Sequence, residues 1–187
     1  MRMHGIHKIV ILLIVACMQR EYVKAQYADN EFVRYTSQSG LCDNDINCII
    51  QDAQGDLWIG TDAGLSRFDG NSFKNYFRGT APLYLPTMSI GRLKQFDSGR
   101  LGILSRAGLL VLNTNNYNAK LYAIKDNSAM SIHYNATWDA IEMPDKSFAI
   151  TSAAGFYLFD KDAHLRFRHD AFHVDDVGKK RILYGRD

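Results

Sequence analysis

The chain has 187 residues, of which 22 are basic and 20 acidic, and 12% are aromatic. Residues 1–25 hold four of the basic residues and one acidic residue, so the other 162 residues carry 18 basic and 19 acidic side chains. This balance excludes the basic surface of a nucleic-acid-binding protein, and the length is that of one domain.

The N-terminal segment has the features of a secretory signal. Basic residues precede an apolar run at 9–17, which is too short for a membrane span of about 20 residues. Residues 23–25, Val-Lys-Ala, supply a small residue before a cleavage site. We therefore predict a signal peptide over residues 1–25, cleaved between Ala25 and Gln26, and a protein that is periplasmic or otherwise exported.

Two alternatives exist for this segment. Residues 14–17 read Ile-Val-Ala-Cys, which resembles a lipoprotein cleavage box. Lipidation of Cys17 would tether the protein to a membrane through its N-terminal segment, and an uncleaved anchor would do the same. Cleavage after Ala25 is the preferred interpretation.

Short apolar runs bounded by Gly, Asp and Asn begin at residue 46, and this pattern is typical of β-strands. Strands are predicted at 46–51, 56–60, 65–68, 73–77, 89–95, 100–104, 108–112, 120–124, 137–142, 147–151, 155–159 and 164–168. A single hairpin of this size cannot bury its apolar side. The strands must therefore stack on further copies or on another layer.

The stretch from residue 46 to residue 70 recurs at offsets of 44, 91 and 125 residues. Gly64, for example, coincides with Gly108 and Gly155. The copies lie near 41–77, 85–124, 133–168 and 174–187. Repeats of roughly 40–50 residues with four strands each are the blades of a β-propeller. Residues 26–187 are therefore predicted to be all-β and to form an incomplete propeller of about three and a half blades.

The first copy defines the repeat, through Asp52, Gly55, Leu57, Trp58, Gly60, Thr61, Gly64 and Leu65. Its glycines are expected where turns need positive φ or where two backbones approach closely. Trp58, between Leu57 and Ile59, is predicted to pack between blades rather than to stack on a sugar. Asp52, Asp62 and Asp69 are interpreted as turn formers.

The pattern over residues 40–70 is G-L-x-x-N-x-I-x-x-I-x-Q-D-x-x-G-x-L-W-I-G-T-x-x-G-L-x-R-F-D-G. It resembles the two-component regulator propeller repeat, which builds the periplasmic sensor region of hybrid histidine kinases. The second copy departs from this pattern because Gly102 replaces the Trp and Leu104 the following Gly, and the third because Ala149 replaces the Trp.

This resemblance implies a non-catalytic periplasmic sensor segment of a two-component regulatory system that lacks the kinase part. The implied partner is an oligosaccharide or another small periplasmic ligand, and no cofactor is expected. The alternative is an exported stand-alone propeller, either a binding protein or an enzyme such as a carbohydrate-active lyase or hydrolase. The sequence contains no nucleophile motif and no phosphate-binding loop that would favour the enzyme.

One dense cluster of potential metal ligands occurs near the C-terminus, at His164, His169, Asp170, His173, Asp175 and Asp176. Its spacing along a strand favours a solvated strand and loop over a metal site. Cys42 and Cys48 follow no metal-binding spacing, and we interpret them as unpaired residues in spite of the oxidising compartment.

Residues Phe32–Tyr35 echo residues 73–76 and are predicted to form an outer strand. Propellers close with roughly four to eight blades, so three and a half copies would leave an open arc with an exposed strand edge at each end. Exposed edges promote pairing between chains. Self-association through these edges is therefore expected.

Overall fold

The computed structural model of this protein describes residues 32–97, 99–125, 135–170, 172–174 and 180–182, the last two ranges as backbone. All the strands lie in the second of two compact units, Tyr35–Asp187. The predicted signal peptide and its cleavage site at Ala25 and Gln26 lie outside the described residues. Within the described ranges, no helix is long and apolar enough to cross a membrane.

Three four-stranded antiparallel sheets follow one another along the chain, each with its strands in sequence order. Blade 1 contains β1 (Ile46–Gln51), β2 (Leu57–Thr61), β3 (Leu65–Phe68) and β4 (Phe73–Tyr76). Blade 2 contains β5 (Ile90–Gln95), β6 (Arg100–Ser105), β7 (Gly108–Asn113) and β8 (Ala119–Tyr122). Blade 3 contains β9 (Thr137–Glu142), β10 (Phe148–Ser152), β11 (Gly155–Phe159) and β12 (Leu165–Asp170). The prediction of an all-β fold built from propeller blades is confirmed.

A two-stranded hairpin follows blade 3, with β13 at Phe172–Val174 and β14 at Lys180–Ile182. It lies where the sequence predicts the start of a fourth copy. Residues 32–36, in contrast, contain no strand, so the predicted outer strand at Phe32–Tyr35 is wrong. The ring of Tyr35 instead packs on Phe68 and Phe73, with centroid distances of 4.9 and 5.6 Å.

Blade 2 lies between the other two blades because its strands are apolar on both faces. Leu101, Ile103 and Leu110 belong to the buried cluster shared with blade 1. Leu104 and Leu109, each adjacent to one of those residues, belong to the cluster shared with blade 3. Successive side chains of a strand point to opposite faces. The near-continuous apolar runs of β6 and β7 therefore contribute to the interfaces with both blade 1 and blade 3.

Trp58 is the largest side chain in the interface between blades 1 and 2, and it is fully buried. Its indole Nε1–H donates to Asp52 Oδ2 at 2.7 Å, and its ring stacks on Tyr76 with centroids 5.7 Å apart. The guanidinium of Arg67 lies 5.8 Å from the indole centroid. The buried polar edge of the Trp is thus satisfied by a carboxylate within its own blade.

Tyr117 of blade 2 reaches the same region from the β7–β8 turn. Its phenol oxygen accepts hydrogen bonds from Arg67 Nη1 and from Tyr76 OH, each at 2.9 Å, and Lys74 Nζ lies 5.0 Å from its ring centroid. Burial raises the pKa of Tyr76, and its hydrogen bond to Tyr117 raises it further. Burial opposes ionisation of Tyr117 too, but the hydrogen bond from Tyr76 and the charges of Arg67 and Lys74 hold its pKa below the usual value. Polar contacts therefore cross the interface at the edge of its apolar centre.

The replaced Trp of blade 2 has a direct structural substitute. A Cβ on Gly102 would lie 2.5 Å from the Phe96 ring, and Phe96 occupies the repeat position of Asp52. The Asp–Trp pair of blade 1 is thus a Phe–Gly pair in blade 2, with the large side chain moved to the other partner. The Phe96 ring contacts Phe148 of blade 3 at 5.0 Å between centroids, so it fills the next interface.

Asp160 stabilises the turn between β11 and β12. Its Oδ1 accepts the backbone N–H groups of Asp162 and His164, each at 2.9 Å, and Arg166 Nη2 lies 2.5 Å from its Oδ2. The hydrogen bond from the His164 backbone is the largest of the effects that lower the pKa of Asp160 to about 2. The folded state therefore favours the charged carboxylate.

Because folding lowers this pKa, the contribution of Asp160 to stability is present above its ordinary pKa of 3.8 and is lost as the pH falls towards about 2. Urea unfolding midpoints should therefore fall less between pH 4 and pH 2 in Asp160→Asn than in the wild type. Asp45→Asn is the control, because that carboxylate accepts no hydrogen bond within the described residues. Equal acid sensitivity of Asp160→Asn and the wild type would contradict the assignment.

Candidate functional site

The first strand of each blade, which we call its inner strand, contains one extra residue that interrupts its pairing with the next strand. The extra residue is Asn47 in β1, Gly91 in β5 and Trp138 in β9. These are equivalent positions of the repeat, 44 and 91 residues apart. Bulges turn a side chain out of the regular alternation of a strand and are common next to functional sites. The same β-bulge thus occurs in all three blades.

All three bulge residues line one pocket with a volume of about 340 Å³. The pocket lies at the end of the blades where β2 turns into β3 and β6 turns into β7. The remaining lining residues are Asp62, Ser89, Leu104, Ser105, Arg106, Ala136 and Thr137. Its volume is within the range of small-molecule sites, about 300–1,000 Å³. We name it the inner-strand pocket.

Asp62 is the acidic residue of the inner-strand pocket, and its position is fixed by neighbours. Its Oδ1 accepts from Asn47 Nδ2 at 2.9 Å and from Ser89 Oγ at 2.8 Å. The Asn47 amide also donates to the Ile90 carbonyl of blade 2 at 3.2 Å. The hydrogen bonds from Asn47 and Ser89, and then the charge of Arg106, lower the pKa of Asp62. The interpretation of Asp62 as a turn former is therefore wrong, because its carboxylate joins two blades.

Trp138 presents an apolar ring to the pocket. It is 62% exposed, in contrast to the fully buried Trp58. Arg106, on the β6–β7 turn, is exposed, and its guanidinium has no hydrogen-bond partner within the described part of the chain. The site thus combines an accessible aromatic face with a cation and a fixed carboxylate.

Gly91 leaves space at the centre of the pocket. A Cβ at this position would meet only the Leu104 carbonyl oxygen, at 3.7 Å, which is an ordinary contact. Its φ does not lie in the left-handed region that favours glycine. The backbone does not require glycine here, and the absence of a side chain leaves room in the pocket.

The residues that define the repeat lie elsewhere, and none of them lines the inner-strand pocket. Asp52 accepts the backbone N–H groups of Gln54 and Asp56, each at 3.0 Å, and Asp69 accepts those of Asn71 and Ser72. Among the other repeat residues, Thr61, Gly64 and Leu65 are buried and Leu57 is half-buried. Gly55 and Gly64 have positive φ.

Gly60 allows the close approach of blades 1 and 2. A Cβ there would lie 2.6 Å from the Cys48 sulfur and 2.8 Å from the Ile90 side chain. Cys42 and Cys48 are unpaired, and the Sγ of Cys42 lies 3.1 Å from Thr61 Oγ1. The repeat motif is therefore concerned with turns and packing.

The residues of the cluster near the C-terminus do not assemble a site within the described ranges. His164 and Arg166 both face the Asp160 carboxylate, and Asp170 pairs with Arg168. No group of three His, Cys, Asp or Glu residues that could hold a metal ion occurs among the described residues. The side chains at 173, 175 and 176 lie outside them.

Sequence reasoning missed the pocket residues Asn47, Gly91, Arg106 and Trp138. The repeat alignment contained the signal, because residues 47, 91 and 138 are equivalent to one another, as are residues 62 and 106. These positions carry different residue types in each copy. A search for shared residues therefore passes over them.

Stacked four-stranded blades with a pocket beside their inner strands define a β-propeller with a candidate binding site. The family described as Two component regulator propeller matches residues 40–63, which confirms the resemblance seen in the sequence. The chain thus contains a two-component regulator propeller repeat. Histidine kinase P4 of Formosa agariphila is 36% identical over 76 residues, which are 41% of this chain and 5% of that protein.

Solved structures resemble the blades. The extracellular domain of BT3049 of B. thetaiotaomicron, described as a hybrid two component system, aligns with a TM-score of 0.60 and 20% identity over 74% of this chain and 20% of that domain. The extracellular domain of BT4673, described as a one component system of the same organism, aligns with a TM-score of 0.51 and 20% identity. This alignment covers 63% of this chain and 17% of that domain. Streptogramin B lyase aligns with a TM-score of 0.50 and 10% identity, over 74% of this chain and 48% of the lyase. These likenesses show the propeller fold, and the chain spans about a fifth of the first two structures.

Proposed function

We propose that this chain is a non-catalytic sensor segment of a two-component regulatory system and binds an oligosaccharide in the inner-strand pocket. The observation that carries the proposal is the convergence of the three bulge residues, Asn47, Gly91 and Trp138, on one pocket. The two-component regulator propeller repeat at residues 40–63 supports the regulatory context. The signal peptide predicted from the sequence supports a periplasmic location.

The chemistry of the pocket favours a sugar. The exposed indole of Trp138 offers an apolar face on which a pyranose ring can stack. Around it are hydroxyl, amide and charged groups of Ser89, Thr137, Asn47 and Asp62, which suit the many hydroxyls of a saccharide. A few well-placed polar groups beside an apolar wall are typical of small-ligand sites.

The same pocket is poorly suited to acid–base catalysis. Among the described residues that line it, Asp62 is the single carboxylate, and there is no His, Cys or Lys. Hydrogen bonds from Asn47 and Ser89 lower the pKa of Asp62, whereas a general acid or base near neutral pH needs a raised pKa. We therefore favour the sensor over the exported lyase or hydrolase.

The two tryptophans allow a direct test. A glycan array identifies the saccharide, and its binding is then titrated by fluorescence. Stacking on the exposed Trp138 should change the emission of that residue. Trp138→Ala should weaken binding about tenfold or more, because the stacked apolar area is lost. Gly91→Tyr should also prevent binding, because its ring fills the pocket.

Trp58→Phe is the matched control, because Trp58 is buried away from the pocket. Its fluorescence change on saccharide addition should equal that of the wild type. Retention of full affinity in both Trp138→Ala and Gly91→Tyr, measured by calorimetry on folded protein, would rule out this pocket as the ligand site.

A further inference from the structure

A second groove lies at the other end of blades 2 and 3. Its volume is about 260 Å³. Arg100 and Asn113 pair at this end of blade 2, whereas Ser105 and Gly108 pair at the end that holds the inner-strand pocket. The two ends are five residue steps apart along β6, which corresponds to roughly 17 Å. This groove is therefore separate from the site described above.

Positive charge distinguishes the second groove. Four of its nine lining residues are cationic and none is acidic. The cations come from the start of β6, the start of β8 and the turns after β9 and β11, and they are Arg100, Lys120, Lys146 and Lys161. Side chains from four separate segments thus direct the same charge towards one concave surface.

Two carboxylates fix one pair of these cations without lining the groove. Asp97 Oδ2 lies 2.7 Å from Arg100 Nη2 and 3.3 Å from Lys146 Nζ. Glu142 bonds to Arg100 and lies 3.1 Å from Lys146 Nζ. Glu142 belongs to blade 3 and Arg100 to blade 2, so this group also holds the walls of the groove in position.

The other pair of cations shares a single carboxylate. Asp162 lies 3.6 Å from Lys120 Nζ and 3.9 Å from Lys161 Nζ, distances that are long for a hydrogen-bonded pair. The lysine side chains are 50% and 70% exposed. Ion pairs thus join the four cations to three carboxylates, and the more loosely paired charges are those of Lys120 and Lys161.

A neutral hydrogen-bond donor also faces this surface, and further hydrogen bonds hold its walls together. The Oδ1 of Asn113 accepts the backbone N–H groups of Asn115 and Asn116, at 3.0 and 3.2 Å, which leaves its Nδ2 to donate to a ligand. The Tyr122 hydroxyl and Lys120 Nζ both donate to the Lys161 carbonyl, at 3.1 and 3.0 Å. These bonds hold the β11–β12 turn, and with it Lys161, against blade 2.

We propose that the second groove binds a small ligand through an oxyanion group, namely phosphate, sulfate or carboxylate. Cations that surround an oxyanion form charge-assisted hydrogen bonds, which are stronger than neutral ones. This site is additional to the saccharide pocket and does not depend on it.

The test is isothermal titration of the purified full chain with inorganic phosphate, inorganic sulfate and acetate at low ionic strength. We expect binding of at least one of these anions that weakens as NaCl is added. Lys146→Gln and Lys161→Gln should each weaken it by about twofold to fivefold, and the double variant by about tenfold. The three anions distinguish which oxyanion the groove prefers.

Arg78→Gln is the control. Arg78 is exposed and lies outside the groove, and its substitution removes one positive charge, as each lysine substitution does. Its anion affinity should equal that of the wild type. An equal loss in Arg78→Gln and Lys161→Gln would show a general charge effect and overturn the proposal. Absence of binding for all three anions at millimolar concentration would overturn it as well.

Discussion

Trp58→Ala should destabilise the protein by about 3–5 kcal/mol, as expected for the loss of a buried Trp. The side chain is fully buried at the centre of the cluster between blades 1 and 2, where the surrounding strands leave little freedom to collapse. The substitution also removes the N–H that satisfies Asp52. Urea unfolding followed by far-ultraviolet circular dichroism measures the loss without depending on the Trp fluorescence.

Two variants separate the contributions at this position. Trp58→Phe keeps most of the apolar volume but leaves Asp52 Oδ2 without its donor, so it should cost about 1–3 kcal/mol. Trp138→Ala removes an indole that is 62% exposed and should change stability by less than about 0.5 kcal/mol. Equal stabilities of Trp58→Ala and Trp138→Ala would contradict the assignment of Trp58 to the interface.

Gly155→Ala should destabilise the protein by about 2–4 kcal/mol, through backbone strain and overpacking. Gly155 has a φ of 152°, and a Cβ there would lie 2.0 Å from the backbone oxygen of His169 on β12. The equivalent glycines, Gly64 and Gly108, have φ values of 154° and 117° and place the same atom 2.5 Å from a carbonyl oxygen. Thermal unfolding of Gly64→Ala, Gly108→Ala and Gly155→Ala, each made singly, measures how strongly each blade requires glycine at this position.

Gly91→Ala is the matched control for these variants. Its φ is unexceptional, and its Cβ would make an ordinary contact at 3.7 Å, so the change in stability should stay within about 0.5 kcal/mol. A loss at Gly91 as large as at Gly155 would mean that the bulge of β5 needs glycine for its conformation. Glycine at residue 91 would then be required by the backbone rather than by the pocket.

The sequence predicts the strands well because each strand is specified locally and then repeated. Apolar runs of three to five residues between Gly- and Asp-rich turns place strands within two residues of their observed bounds, as at 46–51 and 155–159. The repeat then identifies the blade, because weak signals in one copy align with stronger ones in another. Residues 32–36 contain no strand, although Phe32–Tyr35 resembles residues 73–76, because an aromatic spacing shared with a strand does not by itself specify one.

The candidate site could not be predicted in the same way. A pocket between blades takes one residue from each copy, and its lining depends on differences such as Asn47, Gly91 and Trp138. The alignment that reveals the fold emphasises shared residues and therefore finds packing positions such as Trp58. Asp62 was misinterpreted for a related reason, since its partners Asn47 and Ser89 lie on two other segments that only the folded chain brings to it.

Blade 1 has the pair Asp52–Trp58 where blade 2 has Phe96–Gly102. This difference has a consequence for the evolution and engineering of repeated blades. A ring supplied by Phe96 fills the space beside Gly102, so neither position of the pair can be changed to its blade 1 counterpart alone. Gly102→Trp would force two large rings into one volume, and Phe96→Asp would leave a cavity with a carboxylate in it. We therefore expect recombination between duplicated blades to preserve packing when the crossover carries residues 96–102 as one block. Grafting of whole hairpins, rather than consensus substitution residue by residue, is the appropriate strategy for building chimeric propellers from this chain.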